Sequence, residues 1–184
     1  MKALIRILSW FIPISQKRKR FRKIAATWYY NRKLFRIARI GKDFCSPITS
    51  CSVNKNTVIG DYVTYNGVQI AGDGIVKIGN YCHFGEDILI ITRNHNYESS
   101  LIPFDGTFVY KDIEISDFCW IGSRTVILPG TKIGEGVIIQ AGAVVHGVIP
   151  SYSIVGGNPA KVFKYRDIEH FKKLKSKGCF FIPF

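Results

Sequence analysis

The sequence predicts an all-β protein built as a parallel β-helix, and a six-residue repeat is the main reason. An aliphatic residue recurs at every sixth position in the second half of the chain: Ile115, Ile121, Ile127, Ile133, Ile139 and Val145. A period of six fits neither an α-helix, at about 3.6 residues per turn, nor a simple strand, at about 2. It fits a short strand followed by a corner, with one aliphatic side chain pointing inward from each face. Three repeats then make a coil of about 18 residues, which predicts four to five coils between residues 41 and 150.

The positions between the aliphatic residues agree with stacked coils. Glycine often comes next, as at Gly79 and Gly122, where the chain must turn tightly. The fourth position after each aliphatic residue is usually small or β-branched, and it includes Cys82 and Cys119. We therefore expect these two thiols to be compact core side chains rather than nucleophiles. Five cysteines without a CxxC pair indicate neither a disulfide framework nor a zinc site, and they fit a reducing compartment.

Residues 1–42 are predicted to form a separate basic, helical arm. They contain 13 Lys and Arg but no Asp or Glu, so the arm accounts for the whole net charge of +13. Leu4, Leu8 and Phe11 would share one face of a helix that precedes the run KRKRFRK. The arm therefore needs an explanation separate from the chemistry of the repeats.

Three interpretations of the arm remain open. It could cap the open first coil, as solenoids require. Residues 1–40 could also contact an anionic membrane surface, since an apolar face beside a cationic run is typical of an interfacial helix. Nucleic-acid binding has the least support. The apolar run 3–14 is shorter than the roughly 20 residues that cross a bilayer. We expect no membrane span, no signal peptide and a cytoplasmic protein, peripheral at the inner membrane face if the arm binds lipid.

Residues 43–165 are predicted to form the β-helix domain, which is interrupted once at length. The six-residue period is lost for some twenty residues, from Ile91 to Ile113, which leaves a predicted loop at 93–112. A long non-periodic excursion from a compact solenoid is usually functional, so we expect the site here.

Residues 166–184 are predicted to hold a short helix and an apolar tail. Asp167 is a suitable N-cap, and Gly178 would end the helix just after Lys177. The apolar residues that follow are expected to pack back on the β-helix or on an adjacent subunit.

The stretch WIGSRTVILPGTKIGEGVIIQAGAVV, followed by YSIVGGNPAKVFKYR, resembles the hexapeptide-repeat acyltransferases. This family includes maltose and galactoside O-acetyltransferases, xenobiotic acetyltransferases and surface-polysaccharide acetyltransferases. The resemblance covers about residues 50–166. It implies a left-handed parallel β-helix, a homotrimer with active sites between subunits, and acetyl-coenzyme A as co-substrate. The histidines and cysteines show no metal-ligand spacing, so no metal is expected.

The resemblance also implies the residues of the site. His95, in the segment RNHNY of the excursion, matches the general base of the family. An imidazole suits that role because its usual pKa of about 6.5 lies close to neutrality. The residues implied to bind the acceptor are Asn66, Trp120 and Tyr97, and those implied to bind the coenzyme are Ser123, Ala141 and Lys161. Asn66 could instead be ordinary corner chemistry, and Trp120 could simply cover the edge of a coil.

The expected function is acetyl-coenzyme A-dependent O-acetylation of a sugar hydroxyl on a glycan or glycolipid intermediate of bacterial surface polysaccharide. N-acetylation of an amino sugar nucleotide would use the same base and donor. A xenobiotic acceptor is a further option. From a different class, the chain could be a non-catalytic β-helix binding module.

Overall fold

The computed structural model describes residues 37–46 and 51–182. Within these ranges the regular secondary structure consists of short strands linked by turns, and one helix follows them. The elements, in chain order, are β1 (Arg39–Ile40), β2 (Thr57–Ile59), β3 (Thr64–Ala71), β4 (Val76–Ile78), β5 (His83–Ile91), β6 (Arg93–His95), β7 (Phe108–Tyr110), β8 (Ile113–Ile115), β9 (Trp120–Ile121), β10 (Val126–Ile127), β11 (Lys132–Ile133), β12 (Ile138–Ile139), β13 (Val144–Val145), β14 (Val148–Ile149), β15 (Ser153–Gly157), β16 (Ala160–Tyr165) and α1 (Ile168–Ser176).

The strands stack in parallel into a three-sided prism. Face A contains β1, β2, β4, β8, β11 and β14 in that order. The second sheet bends into two faces. The start of β5 pairs with β9 at His83, and the end of β5 pairs with β10 at Leu89. Asp87, between those two points, has a positive φ of 56° and marks the bend. Face B comprises the starts of β3 and β5 with β9, β12 and β15, and face C comprises their ends with β10 and β13.

This architecture confirms the predicted parallel β-helix. Face A has six rungs among the described residues, and five of them lie between residues 41 and 150, in agreement with the four to five coils expected. All six members of the aliphatic series from Ile115 to Val145 are at most 3% exposed, so they form the interior as the period required. Cys82 and Cys119 are buried in the same interior, and each thiol donates to the carbonyl of Ser116 at 3.2 Å.

The corner between faces A and B carries a column of aromatic residues. Tyr62, Tyr81 and Phe118 occupy the same position in three successive coils, and all three have positive φ values between 55° and 61°. Tyr62 stacks on Tyr81 at 4.7 Å between ring centroids, and Tyr81 stacks on Phe118 at 5.2 Å. Ring stacking between coils therefore helps to hold a backbone conformation that non-glycine residues rarely adopt.

A polar ladder runs beside the aromatic column. The side chain of Asn80 accepts a hydrogen bond from the backbone N–H of Asp61 at 2.8 Å. The backbone N–H of Asn80 in turn donates to Asp117 Oδ1 at 2.7 Å. Each coil thus satisfies a corner N–H of its neighbour, which explains why Asp and Asn recur there.

The β-helix begins earlier than the predicted boundary at residue 43. Arg39 and Ile40 form β1 and pair in parallel with Val58 and Ile59, although both were assigned to the arm at 1–42. The last residues of the arm include no Asp or Glu. Arg39 and Ile40 place a charged side chain beside an aliphatic one, which is a pattern that can form one more rung. Residues 1–36 lie outside the described residues, and so does the predicted helical, membrane-binding or capping role of the arm.

The C-terminal helix is confirmed. Helix α1 has Asp167 as its N-cap, whose side chain accepts from the backbone N–H of His170 at 2.9 Å, and Lys177 as its C-cap. Gly178, with a φ of 65°, ends it. Before the helix, the chain turns back after β15 and adds β16 as an antiparallel edge strand, which the repeat did not predict.

Candidate active site

The excursion expected as a loop at 93–112 contains a small β-hairpin. Strands β6 and β7 pair antiparallel, with His95 opposite Phe108. The hairpin leaves the prism at the corner between faces C and A, directly after β5. It lacks the six-residue period because it makes its own two-stranded pairing instead of joining a face.

Two aromatic rings fix the orientation of His95 in this hairpin. The imidazole stacks on Phe104 at 3.8 Å between ring centroids, and it contacts Phe108 at 4.6 Å. His95 is nonetheless exposed, and so is Tyr97, at 76%. Asp105 lies close by, and hydrogen bonds from Thr107, together with the nearby His95, hold the pKa of its carboxyl below the usual value. The site therefore has an accessible imidazole that packs against two aromatic rings.

The predicted coenzyme residues lie on a different corner, between faces B and C. Ser123 and Ala141 occupy consecutive coils there, where the backbone N–H of Gly142 donates to the Ser123 carbonyl at 2.9 Å. The Ser123 hydroxyl accepts from the backbone N–H of Glu86 at 3.0 Å, so it also connects two coils. We call Asn66, Ser123 and Ala141 the corner column.

The corner column is closely packed along the prism. A Cβ at Gly85 would lie 2.6 Å from the backbone nitrogen of Ser123, and one at Gly122 would lie 2.5 Å from that of Ala141. Asn66 Nδ2 donates to the carbonyl of Phe84 at 2.8 Å, which uses one polar atom of its amide for structure. Successive coils therefore approach each other closely at this corner, and the column forms a continuous backbone ridge along the prism.

Lys161 lies beyond the last coil, near the end of the corner column. It is exposed on β16, where it is paired with Gly156. Because β16 is the edge of its sheet, the ammonium group is accessible to an anionic ligand.

Trp120 lies on face B, outside the coil and 60% exposed. It is in register with His83 in the preceding coil and with Ile138 in the next one. These three side chains form the floor of a cavity of about 590 Å³. Helix α1 and residues 179–182, which we call the C-terminal tail, cover the other side, where the ring of Phe181 lies 5.5 Å from that of His83.

His83 is half-buried in this cavity, and burial lowers the pKa of its imidazole below the usual value. Sequence reasoning assigned no functional role to His83, and it missed the cavity. The C-terminal tail that borders the cavity has no period, so nothing in the repeat could indicate which face it lies on.

His95 and the corner column do not come together within one chain. The hairpin leaves at the corner between faces C and A, whereas Ser123 and Ala141 lie at the corner between faces B and C. Face C lies between the two corners. In β5 it spans Asp87 to Ile91, which is about 13 Å at the usual rise per residue. A site that uses both must therefore be completed from another subunit or by a change in the hairpin.

The described residues contain neither a metal cluster nor a membrane-spanning element. Within 37–46 and 51–182, no three or more His, Cys, Asp or Glu side chains are grouped so that they could hold a metal ion. No helix in the same ranges has the length and apolar character needed to cross a bilayer.

Comparison with known proteins agrees with this geometry. Residues 112–147 match the family model described as bacterial transferase hexapeptide (six repeats). A protein of Escherichia coli strain K12 named as a lipopolysaccharide biosynthesis O-acetyl transferase, WbbJ, is 33% identical over 131 residues. That alignment covers 67% of this chain and 63% of the relative. The chain belongs to the hexapeptide-repeat family.

Solved structures with this fold are also similar. A hexapeptide-repeat acetyltransferase of Vibrio cholerae, complexed with acetyl-coenzyme A, superimposes with a TM-score of 0.67 at 25% identity, over 84% of this chain and 92% of that one. A galactoside acetyltransferase in complex with coenzyme A has a TM-score of 0.64 at 23% identity, over 87% and 88% of the two chains, and shows the shared fold. Among sequence relatives, the galactoside O-acetyltransferase of Lactococcus lactis is 28% identical over 62% of this chain and 58% of its own length.

Proposed function

We propose that this protein transfers the acetyl group of acetyl-coenzyme A to a sugar hydroxyl, on a glycan or glycolipid intermediate of bacterial surface polysaccharide. The observation that carries the proposal is the position of His95, exposed on an aromatic-supported hairpin that interrupts a hexapeptide β-helix. The similarity to WbbJ supports a polysaccharide acceptor, and the coenzyme in the complexed neighbours supports the donor.

The reaction needs one base and no covalent enzyme intermediate. His95 would take the proton from the acceptor hydroxyl as its oxygen attacks the thioester carbonyl carbon. The new ester C–O bond forms, the C–S bond breaks, and the thiolate of coenzyme A leaves and takes up the proton from the imidazolium. A backbone N–H would stabilise the oxyanion of the tetrahedral intermediate.

The coenzyme would lie along the corner column. Its pantetheine arm is extended and neutral, which suits the backbone ridge at Ser123 and Ala141. Its nucleotide end carries phosphates, which suit Lys161 at the end of the column. Because face C separates this column from His95 of the same chain, we propose a homotrimer in which each site takes its base from one subunit and its donor groove from another.

The first experiment measures release of free coenzyme A from acetyl-coenzyme A with a panel of sugars, amino sugar nucleotides and polysaccharide fragments. His95→Gln is expected to lower turnover by about 100-fold or more, because a general base contributes at least that factor. His170→Gln, an exposed histidine on α1, is the matched control and should retain wild-type turnover. Equal turnover in the His95 variant would refute the assignment of the base, and turnover on amines alone would favour N-acetylation.

A mixing experiment tests the shared site. Trimers of His95→Gln and trimers of Ser123→Trp, which blocks the corner column, should each be inactive. After the two are dissociated and reassembled together, about a quarter of the sites would combine an intact base with an intact column, and activity should return. A mixture that stays inactive would show that the base and the donor groove belong to the same subunit.

A further inference from the structure

The cavity on face B lies beside the corner column. Trp120 is three residues before Ser123 in one coil, and Ile138 is three residues before Ala141 in the next. Three residues of strand extend about 10 Å. The cavity is therefore within reach of the end of a ligand that follows the column.

The walls of this cavity are mostly aromatic and aliphatic. The C-terminal tail contributes Phe180 and Phe181, and Phe180 lies over the aromatic column at 4.6 Å from Tyr81. Helix α1 contributes Phe171 and Leu174. Such a lining favours an apolar occupant, because burial of apolar surface is the main source of affinity it can provide.

The two cations at the cavity are already engaged. The guanidinium of Arg166 donates to the carbonyl of Gly136 at 3.2 Å and lies 4.8 Å from the ring centroid of Phe171. The ammonium of Lys175 is paired with Glu135. Neither charge is left to select an anion, and burial lowers the pKa of the His83 imidazole, which favours its neutral form.

The volume of the cavity is also large compared with the acetyl group that the proposed reaction transfers. A cavity of about 590 Å³ lies within the range of roughly 300–1,000 Å³ typical of pockets that enclose whole small molecules. A two-carbon acetyl group would leave most of it empty. A longer apolar chain attached at the thioester would occupy more of it.

We propose that this cavity is an acyl pocket, which binds the carbon chain of the donor thioester and admits chains longer than acetyl. Trp120 and Ile138 form its floor, and Phe181 of the C-terminal tail forms its far wall. The inference rests on the proposed function, since it requires a coenzyme A thioester along the corner column. The transfer itself is unchanged: the acyl carbon exchanges its bond to sulfur for a bond to the acceptor oxygen, and the proton passes through His95.

The test is the affinity of the full-length protein for coenzyme A, acetyl-, butyryl- and hexanoyl-coenzyme A, measured by isothermal titration calorimetry. Each buried methylene is expected to tighten binding about fourfold, so each two-carbon step should give roughly 15-fold. Phe181→Ala and Trp120→Ala should reduce this increment while the affinity for coenzyme A itself changes little. Phe163→Ala removes an exposed aromatic residue of β16 outside the cavity, and it should keep the full increment.

The possible results separate the two proposals. If coenzyme A binds but affinity does not rise with chain length, the acyl pocket is refuted and the proposed function stands. If no thioester binds at all, the proposed function fails and the pocket fails with it. If alkyl glycosides from methyl to hexyl show the increment, and Phe181→Ala removes it, the cavity belongs to the acceptor and the acyl assignment is overturned.

Discussion

Replacement of Phe171 by alanine should release the C-terminal helix from the prism without unfolding the β-helix. Phe171 is 8% exposed and is the buried residue of α1. Its ring contacts Tyr152 edge-on at 5.1 Å and Phe118 at 5.9 Å. It also fills the space at Gly136, where an added Cβ would lie 3.0 Å from it.

The magnitude follows from this packing. Truncation of a buried phenylalanine to alanine costs about 3–5 kcal/mol when the site cannot collapse. The stacked coils around Phe171 are held by inter-coil hydrogen bonds, so we expect little collapse. Helix α1 has nine residues, and isolated helices shorter than about 12 residues are marginal in water. The loss of packing energy should therefore destabilise α1 locally. The equilibrium constant for opening of this helix should rise by a factor of about 100 or more.

Hydrogen exchange read by mass spectrometry measures this opening. Amides of α1 should exchange about 100-fold faster in Phe171→Ala, while amides of β11 and β12 should exchange as in the wild type. Phe163→Ala, which truncates an exposed ring, should leave α1 protected. Protection of α1 that is unchanged in Phe171→Ala would refute the reasoning, as would an equal loss of protection in every coil.

Two further predictions concern the coil corners and pH. Gly79→Ala should lower the free energy of unfolding by about 1–3 kcal/mol in chemical denaturation, since the new Cβ would overlap Asp117 Oδ1 and lie 2.6 Å from its backbone nitrogen. Gly106→Ala has no atom within 4 Å of its Cβ and should change stability by less than about 0.5 kcal/mol; equal effects would contradict the close-approach argument. Burial depresses the pKa of His83 in the folded protein, so as the pH falls the unfolded chain takes up the imidazole proton at a higher pH than the folded protein does. The free energy of unfolding should therefore decrease as the pH drops below about 6.5 and through the depressed pKa. Thermal unfolding of His83→Gln should lack this part of the pH dependence, and an unchanged profile would refute the assignment.

The period predicted the interior of this protein well because each inward position has only one environment. A residue such as Ile127 contacts the coils above and below, so its sequence position alone decides its burial. The same logic placed Cys82 and Cys119 in the core. Where the chain follows the stack, sequence and structure therefore correspond closely.

The outer features could not be predicted in the same way. Three segments leave the repeat: the hairpin that carries His95, the edge strand β16, and the C-terminal tail that contains Phe181. Their positions depend on which prism surface they cover, and no local spacing encodes that choice. The aromatic column was accessible in principle, because Tyr62, Tyr81 and Phe118 each lie three residues after an inward aliphatic residue.

The separation of His95 from the corner column gives the proposed trimer a role in the proposed chemistry. One prism carries the exposed imidazole of His95 at one corner and the corner column at another, and face C lies between them. If the base is supplied by a neighbouring subunit, dissociation should abolish turnover while each chain still binds coenzyme A along its own ridge. Dilution would then lower turnover before it lowers the affinity of each chain for coenzyme A. That order of events distinguishes a shared site from a self-contained one, because in a self-contained site dilution would leave both binding and turnover per chain unchanged.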